Sequence, residues 1–349
     1  VLCGLILTAG PVLYETMEEI QLVLVSLVFL LIVVLAALII RPEAFFLQMK
    51  AGVTLGSPQF VPSAASGLAP MTLLGALAFA GAGGTLNLGQ SNYVKDKGYG
   101  MGRFIGRITS PITGQEEAVS ETGYFFQPTE ENTRRWRAWW RAASWEHFLS
   151  FFVTCVVGLS LLTLIAYCIF YDSAGQLREG AERYSSKMDF VLGEAHVIRD
   201  AFGPALKTLF LCMGVAILLT TEFGVLDCAS RVSTDLVKVT WLRENRFWTE
   251  SRLYYSFLWG IIACGSGVLI LNAWGGDVSA FSLFNLTAAM DGAGMFLYSG
   301  TLLYLNRFRL PAPARMNGWR VAARVWSILF FGFFAVWAGY DVISKWLAA

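Results

Sequence analysis

Residues 73–102 read LLGALAFAGAGGTLNLGQSNYVKDKGYGMG, and the reading of this stretch decides the fold. It opens as an apolar helix, Met71 to Ala80, passes through Gly81, Gly83 and Gly84, and resumes with Leu86, Asn87, Leu88, Gln90 and Ser91. Each glycine costs a helix about 1 kcal/mol relative to alanine, so three within four positions predict an interruption. Lipid cannot satisfy the freed backbone groups, which need a protein-lined or water-lined cavity. Discontinuous helices at mid-bilayer are how many secondary transporters build substrate and ion sites. A second reading stays open: Gly-x-x-x-Gly spacing also brings helices together, which would make these glycines a packing face. The polar run beyond them (Thr85, Asn87, Gln90, Ser91, Asn92) favours the break.

The rest of the chain sets that break in a membrane. Its 349 residues are 56% hydrophobic, 14% aromatic and 15% charged, with mean hydropathy +0.56. Globular chains carry about 25% charge, and several apolar runs here reach the ~20 residues that span a bilayer. The expected class is an all-α polytopic membrane protein whose first partner is the lipid bilayer. A net charge of +1 offers nothing to nucleic acid. The six cysteines (Cys3, Cys155, Cys168, Cys212, Cys228, Cys264) lie mostly in or beside apolar runs without C-x-x-C spacing, which excludes a disulfide framework and a zinc site. His147 and His196, the only histidines, stand far apart. No nucleophile–base pair or metal triad suggests an enzyme, and no resident cofactor is expected. Gly98 to Gly102 follows no strand and precedes no Gly-Lys-Ser/Thr, so it is not a nucleotide loop.

In chain order, residues 1–349 read as a single transmembrane domain. Val1 to Thr8 looks like the tail of a helix, and Gly10-Pro11 turns the chain. Spans are expected at 12–40, 71–94 (broken), 148–170, 205–225, 253–271, 281–305 and 325–343, with a Pro-, Ser- and Gly-rich loop at 41–69. Glu15, Glu18 and Glu19 suit the positive end of the first helix dipole. Within 95–147, arginines interleave with Trp136, Trp139, Trp140 and Trp145, the composition of a helix lying at a membrane surface. Loops 95–147, 227–252 and 306–324 are basic, whereas 171–200 and 272–280 are not. Excess Lys and Arg marks the cytoplasmic side, and the alternation fits seven spans, the Val12 helix starting inside and the C-terminus lying outside. The expected location is a bacterial inner (cytoplasmic) membrane. With an apolar start and no charged n-region, no signal peptide is read, and further chain is expected upstream.

Tyr14-Glu15-x-x-Glu18, then Phe79-Ala80-Gly81-Ala82-Gly83-Gly84, then Gln90-Ser91-x-Tyr93-Val94-x-x-Lys97-Gly98, resemble the fifth and sixth helices of the Nramp family of divalent-metal transporters. The chain is similar to a divergent branch of that family, over helices five to eleven. The resemblance implies a LeuT-like (APC-type) transporter bundle, N-terminally incomplete, carrying a divalent cation. The family's Asp-Pro-Gly-Asn motif on helix one is absent. On helix six the family presents a backbone carbonyl, Met, Pro and His; here Ala80, Gly83, Gly84 and Thr85 stand at those positions. Loss of the thioether favours a harder ion such as Mg²⁺ or Mn²⁺, held by oxygens, or else transport is lost and the chain scaffolds a larger membrane complex. Candidate metal-site residues are Ala80, Gly83, Thr85 and Asn87, with Asn285 and Asp291 expected to face the same cavity. An ionisable residue inside a span is costly and functional by default. A structural carboxylate bonded to a neighbour is the other reading of Asp291. Asn285 opens Asn-Leu-Thr, formally a glycosylation acceptor, but it stands at a span's entry.

Overall fold

A computed structural model describes residues 1–10, 12–53, 70–79, 83–84, 86–110, 112, 124–184, 189–274 and 280–348. The helices are α1 (Leu2–Ala9), α2 (Leu13–Ile39), α3 (Pro42–Val53), α4 (Pro70–Phe79), α5 (Leu86–Asp96), α6 (Glu130–His147), α7 (Thr154–Phe170), α8 (Asp189–Phe202), α9 (Pro204–Thr240), α10 (Glu250–Ala273), α11 (Ala280–Tyr304) and α12 (Gly318–Ala348). Among the described residues there is no strand, only isolated bridges Val12–Thr109 and Tyr171–Leu177. Five helical stretches among the described residues are long and apolar enough to cross a membrane: Glu15–Ile39, Glu130–Phe170, Pro204–Thr240, Glu250–Ala273 and Gly318–Ser344. This is the make-up of an all-α integral membrane protein. Of the seven spans expected, the other two are the interrupted pair α4 and α5, and α11.

Two segments differ from expectation. Residues 42–53 are helical, not loop, with Pro42 as the first helical residue, where its missing N–H costs nothing. The span expected at 205–225 runs on to Thr240. Asp227, Arg231, Asp235 and Lys238 are therefore helical, and the link to α10 shrinks to residues 241–249. The physical reason is that Asp227 and Arg231 pair at i,i+4 and are buried instead of solvated.

The chain forms two compact units. The first comprises Val1–Met17, Ser66–Phe148 and Phe223–Ala349. Its spine is the packing of α4 on α11, where helices approach through small residues. A Cβ at Gly75 would lie 2.9 Å from the Cβ of Ala288, and one at Gly292 would lie 2.6 Å from Leu74, itself fully buried. Lipid tails are as apolar as leucine, so such close approach, not hydrophobic exclusion, holds membrane helices together. About two turns along α11 from Gly292, Ser299 shares a 3.0 Å hydrogen bond with Ser327 of α12. Elsewhere Tyr255 of α10 donates to the Leu7 carbonyl of α1 at 3.3 Å, and Arg107 pairs with Glu15 at 2.8 Å. Thr129 caps α6 by accepting from the Asn132 N–H, and Glu130 and Glu131 occupy its positive end. No residue of α6 is buried; Trp139, Trp140 and Trp145 are exposed.

The second unit comprises Glu18–Ala65 and Leu149–Glu222. Its core gathers Val28, Leu31, Ile32 and Leu35 of α2 with Ile165 and Ile169 of α7, Ala195 and Ile198 of α8, and Phe210 and Met213 of α9. The α2 residues follow the three-and-four spacing of a single helical stripe. Leu22, Leu30 and Leu38 of α2 are exposed, an ordinary outward surface for a helix whose solvent is lipid.

Candidate functional site

α4 stops at Phe79 and α5 begins at Leu86. Between them Gly83 lies outside any helix, and Gly84 turns with φ +58°, a left-handed conformation that glycine adopts without a Cβ penalty. The Gly83 and Gly84 carbonyls accept from the Leu86 and Asn87 N–H groups at 3.3 Å, winding the first turn of α5. α11 lies directly against this turn. A methyl group on Gly84 would collide with the Asp291 carboxylate, and one on Gly294 would lie 3.9 Å from the Gly84 Cα. One turn along from Asp291, the Met295 sulfur accepts from the Asn87 side-chain amide at 3.1 Å. Residues three and four apart share a helix face, so α11 presents Asp291, Gly294 and Met295 together. The positive end of α5 meets the negative charge of Asp291, a favourable pairing.

From this turn α5 runs along α9 on Gly89, Asn92, Tyr93 and Asp96. A Cβ at Gly89 would sit 2.5 Å from the Cys228 sulfur, so glycine permits the approach. Asn92 donates to Asp235 at 3.3 Å. Deeper, Arg231 places Nε 3.0 and 2.9 Å from the two Asp227 oxygens and Nη1 2.6 Å from Asp96 Oδ2. The Tyr93 and Tyr254 hydroxyls donate to Asp227 at 2.8 and 2.7 Å, and both rings flank the guanidinium, 5.6 and 5.9 Å from its carbon. Asp227 is 0% and Arg231 1% exposed. Two carboxylates and one guanidinium, removed from water, thus join α5, α9 and α10. Arg231 Nη2, Asp96 Oδ1 and Thr234 Oγ1 have no hydrogen-bond partner among the described residues.

Of the residues expected at the site, Gly83, Asn87 and Asp291 come together at the break. Asn285 does not join them: six residues before Asp291, it is turned by about 120° around α11 and displaced about 9 Å along it. Ala80 and Thr85 lie outside the described residues. Met295 is an addition; its signal was the four-residue spacing from Asp291. A thioether thus stands beside the break on α11, although position 83 carries none. Among the described residues no three His, Cys, Asp or Glu side chains gather to hold a metal ion. Any cation at the break would use one carboxylate with amide, carbonyl and thioether donors. No family model, curated protein or solved structure matches this chain. Its chemistry is read from this geometry. A carboxylate and a thioether, one helical turn apart and beside the turn of an interrupted helix, suit a divalent cation of intermediate softness.

Proposed function

We propose that the protein is an Nramp-like secondary transporter of a divalent metal cation, with a LeuT-like arrangement around the α4–α5 break. The observation that carries this reading is the left-handed Gly84 held against the Asp291 carboxylate, with Met295 and Asn87 beside it. A helix interrupted inside a span, facing an ionisable side chain from a neighbouring span, is an arrangement transporters use for substrates. Asp291 supplies the charge that attracts the cation. The Met295 sulfur moves the preference from Mg²⁺ toward Mn²⁺ or Cd²⁺, because thioether sulfur favours softer ions. In this reading the basic segments 95–147, 241–249 and 306–324 face the cytoplasm.

A scaffold role in a larger membrane complex is the second reading. It is favoured by the buried Asp96–Arg231–Asp227 cluster, which ties α5 firmly to α9 and α10. Metal binding by the purified protein separates the two, with Mn²⁺, Cd²⁺ and Mg²⁺ titrated by calorimetry and uptake followed in proteoliposomes. Asp291→Asn is expected to weaken Mn²⁺ binding roughly tenfold or more, since one unit charge against a divalent ion at close range is worth at least about 2 kcal/mol. Met295→Leu is expected to reduce Cd²⁺ binding while sparing Mg²⁺. Binding and uptake indifferent to both substitutions would refute transport at this site.

A further inference from the structure

A cavity of about 820 Å³ lies between α6 and the segment leading into α12. Its cationic wall is Arg137 and Arg141 from α6 with Arg315 and Arg320 from the far side. Among the described residues none of the four is in an ion pair, and residues 305–340 contain no Asp or Glu. The nearby acids on α6 are engaged elsewhere, Glu131 with Arg135 and Glu146 with Lys97. The remaining wall is apolar. Arg320 lies 4.5 Å over the Trp140 ring, whose centroid is 5.9 Å from that of the tilted Trp136 ring, and Trp145 and Phe148 continue the surface. A second cavity of about 260 Å³ adjoins the first, sharing Trp136, Trp140, Ala314 and Arg320, and is lined further by Phe126, Leu310 and Met316.

A cationic chamber opening beside an apolar one fits an amphipathic anion. Its place selects the kind. Phe148 begins the apolar part of the Glu130–Phe170 helix, and Arg320 stands in the first turn of the Gly318–Ser344 helix. Both cavities therefore sit at the ends of spanning helices, where tryptophan and arginine meet lipid headgroups. Basic pockets between transmembrane helices bind anionic headgroups, and the planar guanidinium matches phosphate oxygens in pairs. We propose that this cavity is a binding site for an anionic phospholipid, its phosphate held by Arg137, Arg141, Arg315 and Arg320 and its acyl portion lying over Trp140 and Trp145. This site is separate from the α4–α5 break and does not depend on the transport reading.

The test is native mass spectrometry of the full chain titrated with phosphatidylglycerol, phosphatidylcholine or inorganic phosphate. Wild type is expected to retain phosphatidylglycerol in preference to phosphatidylcholine. Arg137→Gln/Arg141→Gln should bind it roughly twenty-fivefold more weakly, at about fivefold per arginine near a membrane surface. Arg137→Lys/Arg141→Lys, which keeps the charge, should stay within about threefold of wild type. The control Arg243→Gln/Arg246→Gln removes the same charge from the α9–α10 link and should change little. Thermal stabilisation of wild type by phosphatidylglycerol but not phosphatidylcholine provides a reading independent of how the variants fold. Equal retention of the two lipids, or an equal loss in the control pair, overturns the proposal. Displacement of phosphatidylglycerol by millimolar inorganic phosphate also overturns it, identifying a free-phosphate site instead.

Discussion

Replacing Arg231 by methionine should destabilise the first unit more than any other single surface-to-core change of similar size. The guanidinium makes close contacts to Asp227 at 3.0 and 2.9 Å and to Asp96 at 2.6 Å, and it is 1% exposed. Methionine preserves most of the volume, so little of the effect would come from a cavity. What remains is Asp227, fully buried and without a countercharge, and a nearly buried Asp96 with only Lys95 at 4.0 Å. Breaking a buried pair from one side costs about 3–5 kcal/mol. At about 2–4 °C per kcal/mol this is a fall in Tm of roughly 6–20 °C, readable by intrinsic-fluorescence melting of the detergent-solubilised chain. The double variant Asp227→Asn/Arg231→Met tests the cause. Its Asn amide oxygen can still accept from Tyr93 and Tyr254, and the orphaned Asp227 charge is gone while Asp96 keeps Lys95, so it should melt above the single variant. A single variant within 2 °C of wild type, or a double variant no more stable than the single, would refute the account of a buried charge lock.

Gly84→Ala should both strain the backbone at φ +58° and drive a methyl into Asp291, costing about 1–3 kcal/mol for the strain alone and abolishing Mn²⁺ binding. Gly98→Ala, at φ +79° with its nearest neighbour 4.0 Å away, carries strain without collision, so its smaller effect on melting isolates the contact. Burial raises the Glu194 carboxyl from 4.5 to about 7. Between those values the folded chain holds a proton that the unfolded chain has released, so stability is highest below pH 4.5 and falls as pH rises to 7. The total is at most on the order of 3 kcal/mol. Glu194→Gln should flatten the pH dependence of melting between pH 5 and 7.5, and an unchanged slope would remove Glu194 as its source.

Much of this architecture could be read from local composition. Apolar runs of spanning length, and glycines at 81, 83 and 84, are properties of neighbouring residues. They predict helices, and a helix that stops between Phe79 and Leu86, whatever packs nearby. The i,i+4 spacings Asp227–Arg231 and Asp291–Met295 were equally present in the sequence, but a spacing does not say whether its face meets water, lipid or another helix. Charges from Asp227 to Lys238 therefore looked like a solvated loop. Only the approach of α5, permitted by Gly89 against Cys228, supplies Asp96 and Tyr93 as partners that let the helix keep those charges buried.

The sequence by itself determined an all-helical chain with membrane-spanning helices and an interruption after Phe79, because hydropathy and glycine content act through the local backbone. Tertiary structure alone decided which side chains meet at that interruption. Met295 joins Asn87 from 208 positions away, Asp291 closes on Gly84, and Asn285 is turned aside by its register on α11. It also decided which small residues pack helices together. Gly75 and Gly292 do so, facing Ala288 and Leu74, while Gly84 supplies a left-handed turn instead. Glycine permits both outcomes through the same missing Cβ, and only the neighbouring helix selects between them.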